Sequence, residues 1–123
     1  MTTRPTSAAD LQARLTKFAA SIISLVSHLP PTFQAKHVGT QILRSATSAA
    51  SNYAEARSAE SRTDFIHKLR IVLKELNETE VWLDLIGKSG WIATETIATT
   101  TNENRELCCI IAKSIKTAGG FQR

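Results

Sequence analysis

The chain has 123 residues, of which 42% are hydrophobic and 21% are charged, and its formal net charge is +4. This length supports one hydrophobic core but not two, and the composition is that of an ordinary globular domain, which argues against a disordered or fibrous protein. The mild basic excess permits contact with nucleic acid or another acidic surface, although many proteins without such partners share it.

Nothing in the sequence indicates export or a membrane. The N-terminal stretch MTTRPTSAAD lacks the apolar core of a secretory signal, and no segment approaches the roughly 18 apolar residues of a membrane span. The two cysteines, Cys108 and Cys109, are neighbours on a predicted helix, so their side chains diverge and should not pair. Two thiols without a disulfide framework favour a reducing compartment, and we expect a cytoplasmic protein.

The first predicted helix covers about residues 8–29. Ser7 with Asp10 resembles a capping box at its start, and Pro30-Pro31 should end it. Apolar residues that step by four and three place one stripe on the helix. The stripe is Leu11, Leu15, Phe18, Ile22, Leu25 and Leu29.

The second predicted helix, about residues 33–58, has an unusually small apolar stripe. The stripe is Val38, Ile42, Ala46, Ala49, Tyr53 and Ala56. Eleven of the sixteen residues from Ser45 to Glu60 are Ala, Ser or Thr. Because small side chains let helices approach closely, bulky residues on the neighbouring helices should fill the space opposite Ala46 and Ala49. The run of small residues is therefore interpreted as a packing device.

The third predicted helix covers about residues 62–87, starts at a second candidate capping box and ends at Gly87 and Gly90. Its stripe is Phe65, Leu69, Val72, Leu76, Thr79, Leu83 and Ile86. Further apolar residues lie outside this stripe, and a helix that is apolar on more than one side usually has more than one partner. We therefore predict an oligomer interface, with a wider intramolecular core as the alternative. The predicted interface residues are Ile66, Leu73, Trp82, Leu85 and Trp91.

The fourth predicted helix, about residues 94–118, is rich in Thr at its start and is followed by Gly119-Gly120. Its stripe is Asn104, Cys108, Ile111, Ile115 and Ala118. No segment alternates with the period of a half-buried strand. Four heptad helices with short connections predict an all-α fold, an antiparallel up-down four-helix bundle, as a single domain over residues 1–123.

No catalytic or metal-binding constellation stands out. Gly87-Lys88-Ser89 resembles part of a phosphate-binding loop, but Trp82 occupies the position where that loop needs a glycine. A charged corner joins the second and third helices at Glu55, Arg57, Arg62, Asp64, His67 and Lys68. Ion pairs and a helix cap are the favoured interpretation of this corner, and an acid–base site is the alternative. We expect no catalytic residue, no metal and no cofactor, and hence no enzyme.

Six basic side chains are candidates for contact with the phosphates of nucleic acid. They are Arg44, Arg57, Arg70, Lys74, Lys113 and Lys116. Arg70 lies one helical turn before Lys74, a spacing that puts them on the same face. Lys74 also precedes Glu78 by four residues, so internal pairing would remove part of this charge. A merely solvated charged face is the alternative.

The stretch QILRSATSAASNYAEARSAESRTDFIHKLRIVLKELNETEVWL, residues 41–83, resembles the signature of the 23S rRNA intervening-sequence proteins, also called the four-helix-bundle protein family. Leu29-Pro30 and residues 115–118 are similar to that family as well, so the likeness spans about residues 15–118. The resemblance implies a bundle that assembles as a ring-shaped homopentamer. It supplies no catalytic residues.

A related branch, the accessory variability proteins of diversity-generating retroelements, forms basic pentamers that bind nucleic acid and a reverse transcriptase. This chain looks closer to the first branch. The resemblance makes RNA, DNA and a reverse transcriptase the candidate partners. We expect a non-enzymatic oligomer that binds nucleic acid or a nucleic-acid enzyme; the alternative is a structural or protein-interaction module with no nucleic-acid role.

Overall fold

The computed structural model describes residues 7–120, and every regular element within that range is an α-helix. The helices are α1 (Ala8–Val26), α2 (Phe33–Arg57), α3 (Arg62–Ser89) and α4 (Thr94–Gly119). They share one hydrophobic core. The prediction of an all-α protein with four helices is confirmed for the described residues.

Hydroxyl side chains start the first three helices. Ser7, Thr32 and Ser61 each accept a hydrogen bond from the backbone N–H three residues further on. Each bond satisfies an N–H that has no partner inside the helix, which stabilises the helix start. The N-cap of α4, Ala93, makes no such side-chain bond.

Two helix ends differ from the sequence-based expectation. α1 ends at Val26 rather than near Leu29. α3 continues through Gly87 to Ser89 and is capped by Gly90, whose φ of 73° is a left-handed conformation that glycine adopts most easily. A Cβ atom at Gly87 would lie 3.2 Å from a methyl carbon of Ile97, so the glycine permits the start of α4 to approach α3.

The small residues of α2 lie in the core, as the sequence predicts. Ala46 and Ala49 are 1% and 0% exposed, and they belong to the same cluster as the bulky Phe18, Ile22 and Leu69. Because protein cores are closely packed, a site that holds a buried methyl group has no space for a larger side chain. The interpretation of the small run as a packing device is therefore confirmed at these two positions.

Two polar contacts inside the core join neighbouring helices. The hydroxyls of Ser45 on α2 and Thr79 on α3 lie 2.7 Å apart. Each hydroxyl also lies within hydrogen-bond distance of a carbonyl oxygen on its own helix, Ser45 of Ile42 at 3.3 Å and Thr79 of Glu75 at 2.9 Å. On α4, the side-chain amide of Asn104 donates to the Leu76 carbonyl at 2.9 Å. A buried polar group without a hydrogen-bond partner destabilises the folded protein. Both contacts therefore favour the one register of the helices in which these groups are paired.

The helices are not packed equally. α2 packs extensively on α3 and α3 on α4, α1 packs mainly on α2, and α1 and α4 contact each other only sparsely. No helix within residues 7–120 is both long and apolar enough to cross a membrane.

The burial of Ala49 leads to a first prediction. Replacing Ala49 with Leu should lower the free energy of unfolding by about 1–3 kcal/mol, because the larger side chain must push α2 away from its neighbours. Urea unfolding at one fixed protein concentration measures the change. Ala54→Leu is the matched control, since Ala54 is exposed on the same helix. Equal stabilities for the two variants would contradict the close packing at Ala49.

Candidate functional site

All six predicted phosphate-contacting side chains are exposed, but they are distributed over three helices. Arg70 and Lys74 lie one turn apart on α3, and Lys113 and Lys116 lie about one turn apart on α4. Arg57 is in the last turn of α2. The structure therefore places the cations in two pairs and isolated positions rather than in one continuous patch.

Arg44 differs from the other five because its charge is already balanced. Its Nη2 lies 2.8 Å from Oε1 of Glu78, and its Nη1 lies 3.8 Å from Oε1 of Glu75. Glu78 thus pairs with Arg44 across the α2–α3 contact, and no ion pair joins it to Lys74. None of the ion pairs found within residues 7–120 involves the remaining five candidates, which are Arg57, Arg70, Lys74, Lys113 and Lys116.

The charged corner between α2 and α3 contains an ion pair and a helix cap. Nζ of Lys68 donates to Oε1 of Glu55 at 2.7 Å, and this hydrogen bond raises the pKa of Lys68. The backbone N–H of Asp64 is bound by the Ser61 hydroxyl. These contacts agree with the interpretation of an ion-paired, capped corner.

The predicted interface residues fall into two groups. Leu73, Trp82 and Trp91 are half-buried and pack against the core, so a wider intramolecular core accounts for much of their apolar surface. Ile66 is also half-buried, whereas Leu85 is 43% exposed. Of the five, Leu85 alone is exposed rather than half-buried.

Three exposed apolar side chains were not predicted as interface residues. Phe33 is 85% exposed, Val81 is 57% exposed and Ile23 is 53% exposed. Each lies outside the apolar stripe of its helix, and that deviation is the sequence signal that could have marked them. Val81 and Leu85 are one turn apart on α3, so they share a face.

Among the grooves within residues 7–120, one lies on each side of α4. The larger, about 630 Å³, lies between α3 and α4 and contains the ion pair of Arg105 with Glu80, whose Nε and Oε2 are 2.9 Å apart. The second, about 580 Å³, is here named the α1/α4 groove. It is lined by Ser21, Ser24, Leu25, His28, Trp91, Ile92, Ala93, Thr96 and Thr100.

One ion pair joins α1 to α4 where the two helices otherwise contact each other little. Arg14 donates from Nε and Nη2 to the two carboxylate oxygens of Glu103, both at 2.8 Å, and Glu106 lies 3.5 Å from Nη2. The hydrogen bond to Glu103 raises the pKa of Arg14. Such a two-pronged contact fixes the relative position of the two side chains more firmly than a single bond.

The two cysteine thiols occupy different environments. Cys108 is half-buried, and its thiol lies 3.6 Å from Oδ1 of Asn77; burial raises the pKa of Cys108 to about 11. Cys109 is exposed. Within residues 7–120 no three His, Cys, Asp or Glu side chains are grouped so that they could hold a metal ion.

A second prediction concerns these thiols. At about pH 8, iodoacetamide should alkylate Cys109 much faster than Cys108, because the thiolate is the reactive form and Cys108 remains protonated. Raising the pH toward the Cys108 pKa of about 11 should speed its reaction. Peptide mass mapping over time measures both rates, and Cys109→Ser isolates Cys108. Equal rates at pH 8 would contradict the burial of Cys108.

Comparison with known proteins assigns the chain to a family. The profile described as 23S rRNA-intervening sequence protein matches residues 10–113. Among solved structures, the chain is similar to a protein of unknown function from the S23 ribosomal protein family of Bacteroides thetaiotaomicron. The two are 37% identical, with a TM-score of 0.83 over 89% of this chain and 97% of the other. Comparison with curated proteins gives no match. The chain belongs to the 23S rRNA-intervening sequence protein family.

Proposed function

We propose that this protein is a non-enzymatic, self-associating four-helix bundle that binds nucleic acid, or an enzyme acting on nucleic acid, through a basic surface. The observation that carries the proposal is unpaired positive charge. The exposed cations without an ion-pair partner within the described residues include five of the six predicted phosphate-contacting residues, namely Arg57, Arg70, Lys74, Lys113 and Lys116. Lys and Arg with free charge are the groups that contact phosphates.

The proposal includes an antiparallel up-down arrangement of the helices. Contacts between the start of one helix and the end of the next support it. Gln12, early in α1, donates to the Ala50 carbonyl, late in α2, and Lys68, early in α3, pairs with Glu55, also late in α2. Similarly, Gly87 near the end of α3 faces Ile97 near the start of α4. In this arrangement the five candidate cations without an ion pair, Arg57, Arg70, Lys74, Lys113 and Lys116, fall in the half of the bundle that holds the α2–α3 turn.

We further propose that the assembly is a homopentamer located in the cytoplasm. The exposed apolar residues Phe33, Val81 and Leu85 support self-association, and the likeness to the four-helix-bundle protein family supports the number five. In a pentamer the formal charge of +4 per chain becomes 5 × 4 = +20. Each unpaired cation is then repeated five times, so weak phosphate contacts act together.

A role beside a reverse transcriptase, as in the accessory variability proteins, is the narrower form of this proposal. The competing function is a structural or protein-interaction module with no nucleic-acid role. One observation favours the competitor: Arg44, Lys68, Lys88 and Arg105 are all engaged in ion pairs, so these four cations are not free to contact phosphates.

The assembly gives a third prediction. Native mass spectrometry at micromolar concentration should show a species of five times the 13.5 kDa chain mass. Removal of apolar side chains from water drives such association. Replacing Leu85 with Ser should shift the distribution toward smaller species. A wild-type chain that stays monomeric would refute self-association, and a stable assembly of another size would refute the pentamer.

Nucleic-acid binding gives a fourth prediction. Fluorescence anisotropy should show binding to RNA and DNA of unrelated sequences that weakens as salt rises, with a slope in log K of about −0.9 for each phosphate neutralised on duplex DNA. Lys74→Ala should weaken binding more than Arg44→Ala, although both remove one positive charge, because Arg44 already pairs with Glu78.

This pair of variants separates local contacts from net charge. Equal losses for Lys74→Ala and Arg44→Ala would show that only overall charge matters. No binding by the wild-type chain even at low salt would favour the interaction-module function instead. Circular dichroism of both variants checks that each is folded.

A further inference from the structure

The α1/α4 groove is an uncovered opening with an apolar floor. Leu25, Trp91 and Ile92 contribute its apolar surface, while hydroxyl groups such as that of Ser24 stand among them. Because α1 and α4 contact each other only sparsely, no side chain of the bundle closes this opening. Its volume of about 580 Å³ lies within the range of about 300–1,000 Å³ that is typical of binding sites.

Phe33 is the most exposed large apolar side chain among the described residues, at 85%. It is the first residue of α2, directly after the N-cap Thr32, so its backbone is held firmly while its ring lies in solvent. A fixed aromatic side chain that enters a pocket is the usual form of an energetically dominant contact between proteins. Phe33 is therefore suited to insert into a pocket of a partner, and it is here named the anchor.

The anchor does not fill the groove of its own chain. α2 and α4 make no contact with each other within the described residues, and the exposure of Phe33 shows that its ring is not inserted anywhere in this molecule. The chain therefore has an uncovered groove and an exposed aromatic side chain that cannot reach it. A second copy of the chain offers Phe33 a groove of this kind.

Charge beside the two features is complementary. Lys36 is exposed one turn after Phe33, and Glu95 is exposed in the first turn of α4, next to Thr96 of the groove. Neither Lys36 nor Glu95 takes part in an ion pair within residues 7–120. Opposite charges at the edges of a contact orient the partners and disfavour wrong alignments.

We infer that Phe33 of one copy inserts into the α1/α4 groove of a second copy, with Lys36 facing the second copy's Glu95. This inference rests on the proposed self-association and names a contact that produces it. The two surfaces differ, so the contact is head-to-tail: every copy offers one anchor and one groove. Head-to-tail contacts close into a ring when the rotation between copies allows it.

The test uses one variant without the anchor and one without the groove. Phe33→Ala removes the anchor, and Ser24→Trp fills the groove with an indole ring. Both positions are exposed, so both variants should fold, which circular dichroism checks. Native mass spectrometry should show each variant mainly as monomer at a concentration where the wild-type chain is assembled. Gln34→Ala, exposed beside the anchor, is the control and should assemble normally.

Mixing the two variants gives the sharpest outcome. The Phe33→Ala chain keeps its groove and the Ser24→Trp chain keeps its anchor, so one contact forms and the mixture should yield a heterodimer and nothing larger. In parallel, Lys36→Glu and Glu95→Lys should each weaken assembly about tenfold, because each change places like charges opposite each other. The chain that carries both changes restores opposite charges and should assemble again.

The outcomes separate this contact from self-association itself. If the wild-type chain assembles and both Phe33→Ala and Ser24→Trp also assemble normally, the contact is wrong while self-association stands. If the wild-type chain is monomeric, the proposed contact and the proposed self-association are both wrong. Loss of assembly in the single variants without heterodimer formation on mixing would also refute the pairing of anchor with groove.

Discussion

The close approach of α2 to its neighbours at Ala46 and Ala49 is the constraint on which the rest of the bundle depends. Only because these side chains are small can the Ser45 hydroxyl reach Thr79 at 2.7 Å across the α2–α3 contact. That approach sets the register of the two helices, and the register in turn brings Arg44 to Glu78. Packing in the core therefore decides which surface charges are paired and which, such as Lys74, stay free.

How much could be predicted from the sequence differs between the fold and the site. Heptad spacing identified the buried residues of α3 from Leu69 to Ile86, because a regular repeat allows one core face. On α4 it missed the buried Leu107 and Ile110, since that helix buries a wider face than its stripe suggested. The Arg14–Glu103 contact joins residues 89 apart in the chain, and no local pattern contains that information.

The surfaces to which we assign a function are the parts of the helices that the core does not bury. α1 is packed mainly on α2, so a groove remains between α1 and α4. Apolar residues outside the stripes, Phe33 above all, remain in solvent, and their exposure is the reason that we propose self-association. Association would then multiply the unpaired cations around a symmetry axis. On this account one packing scheme yields both the self-association and the basic surface that we propose.

Native-state hydrogen exchange tests most directly whether the α2–α3 contact holds the bundle together. Amides of the most stable part of a protein exchange only through global unfolding, whereas less stable parts open on their own. The account predicts the slowest exchange in the middle of α2, near Ala46 and Ala49, and in the facing part of α3, near Leu76. Amides of α1 should exchange faster through local opening. Exchange in α1 as slow as that in α2 and α3 would contradict the account.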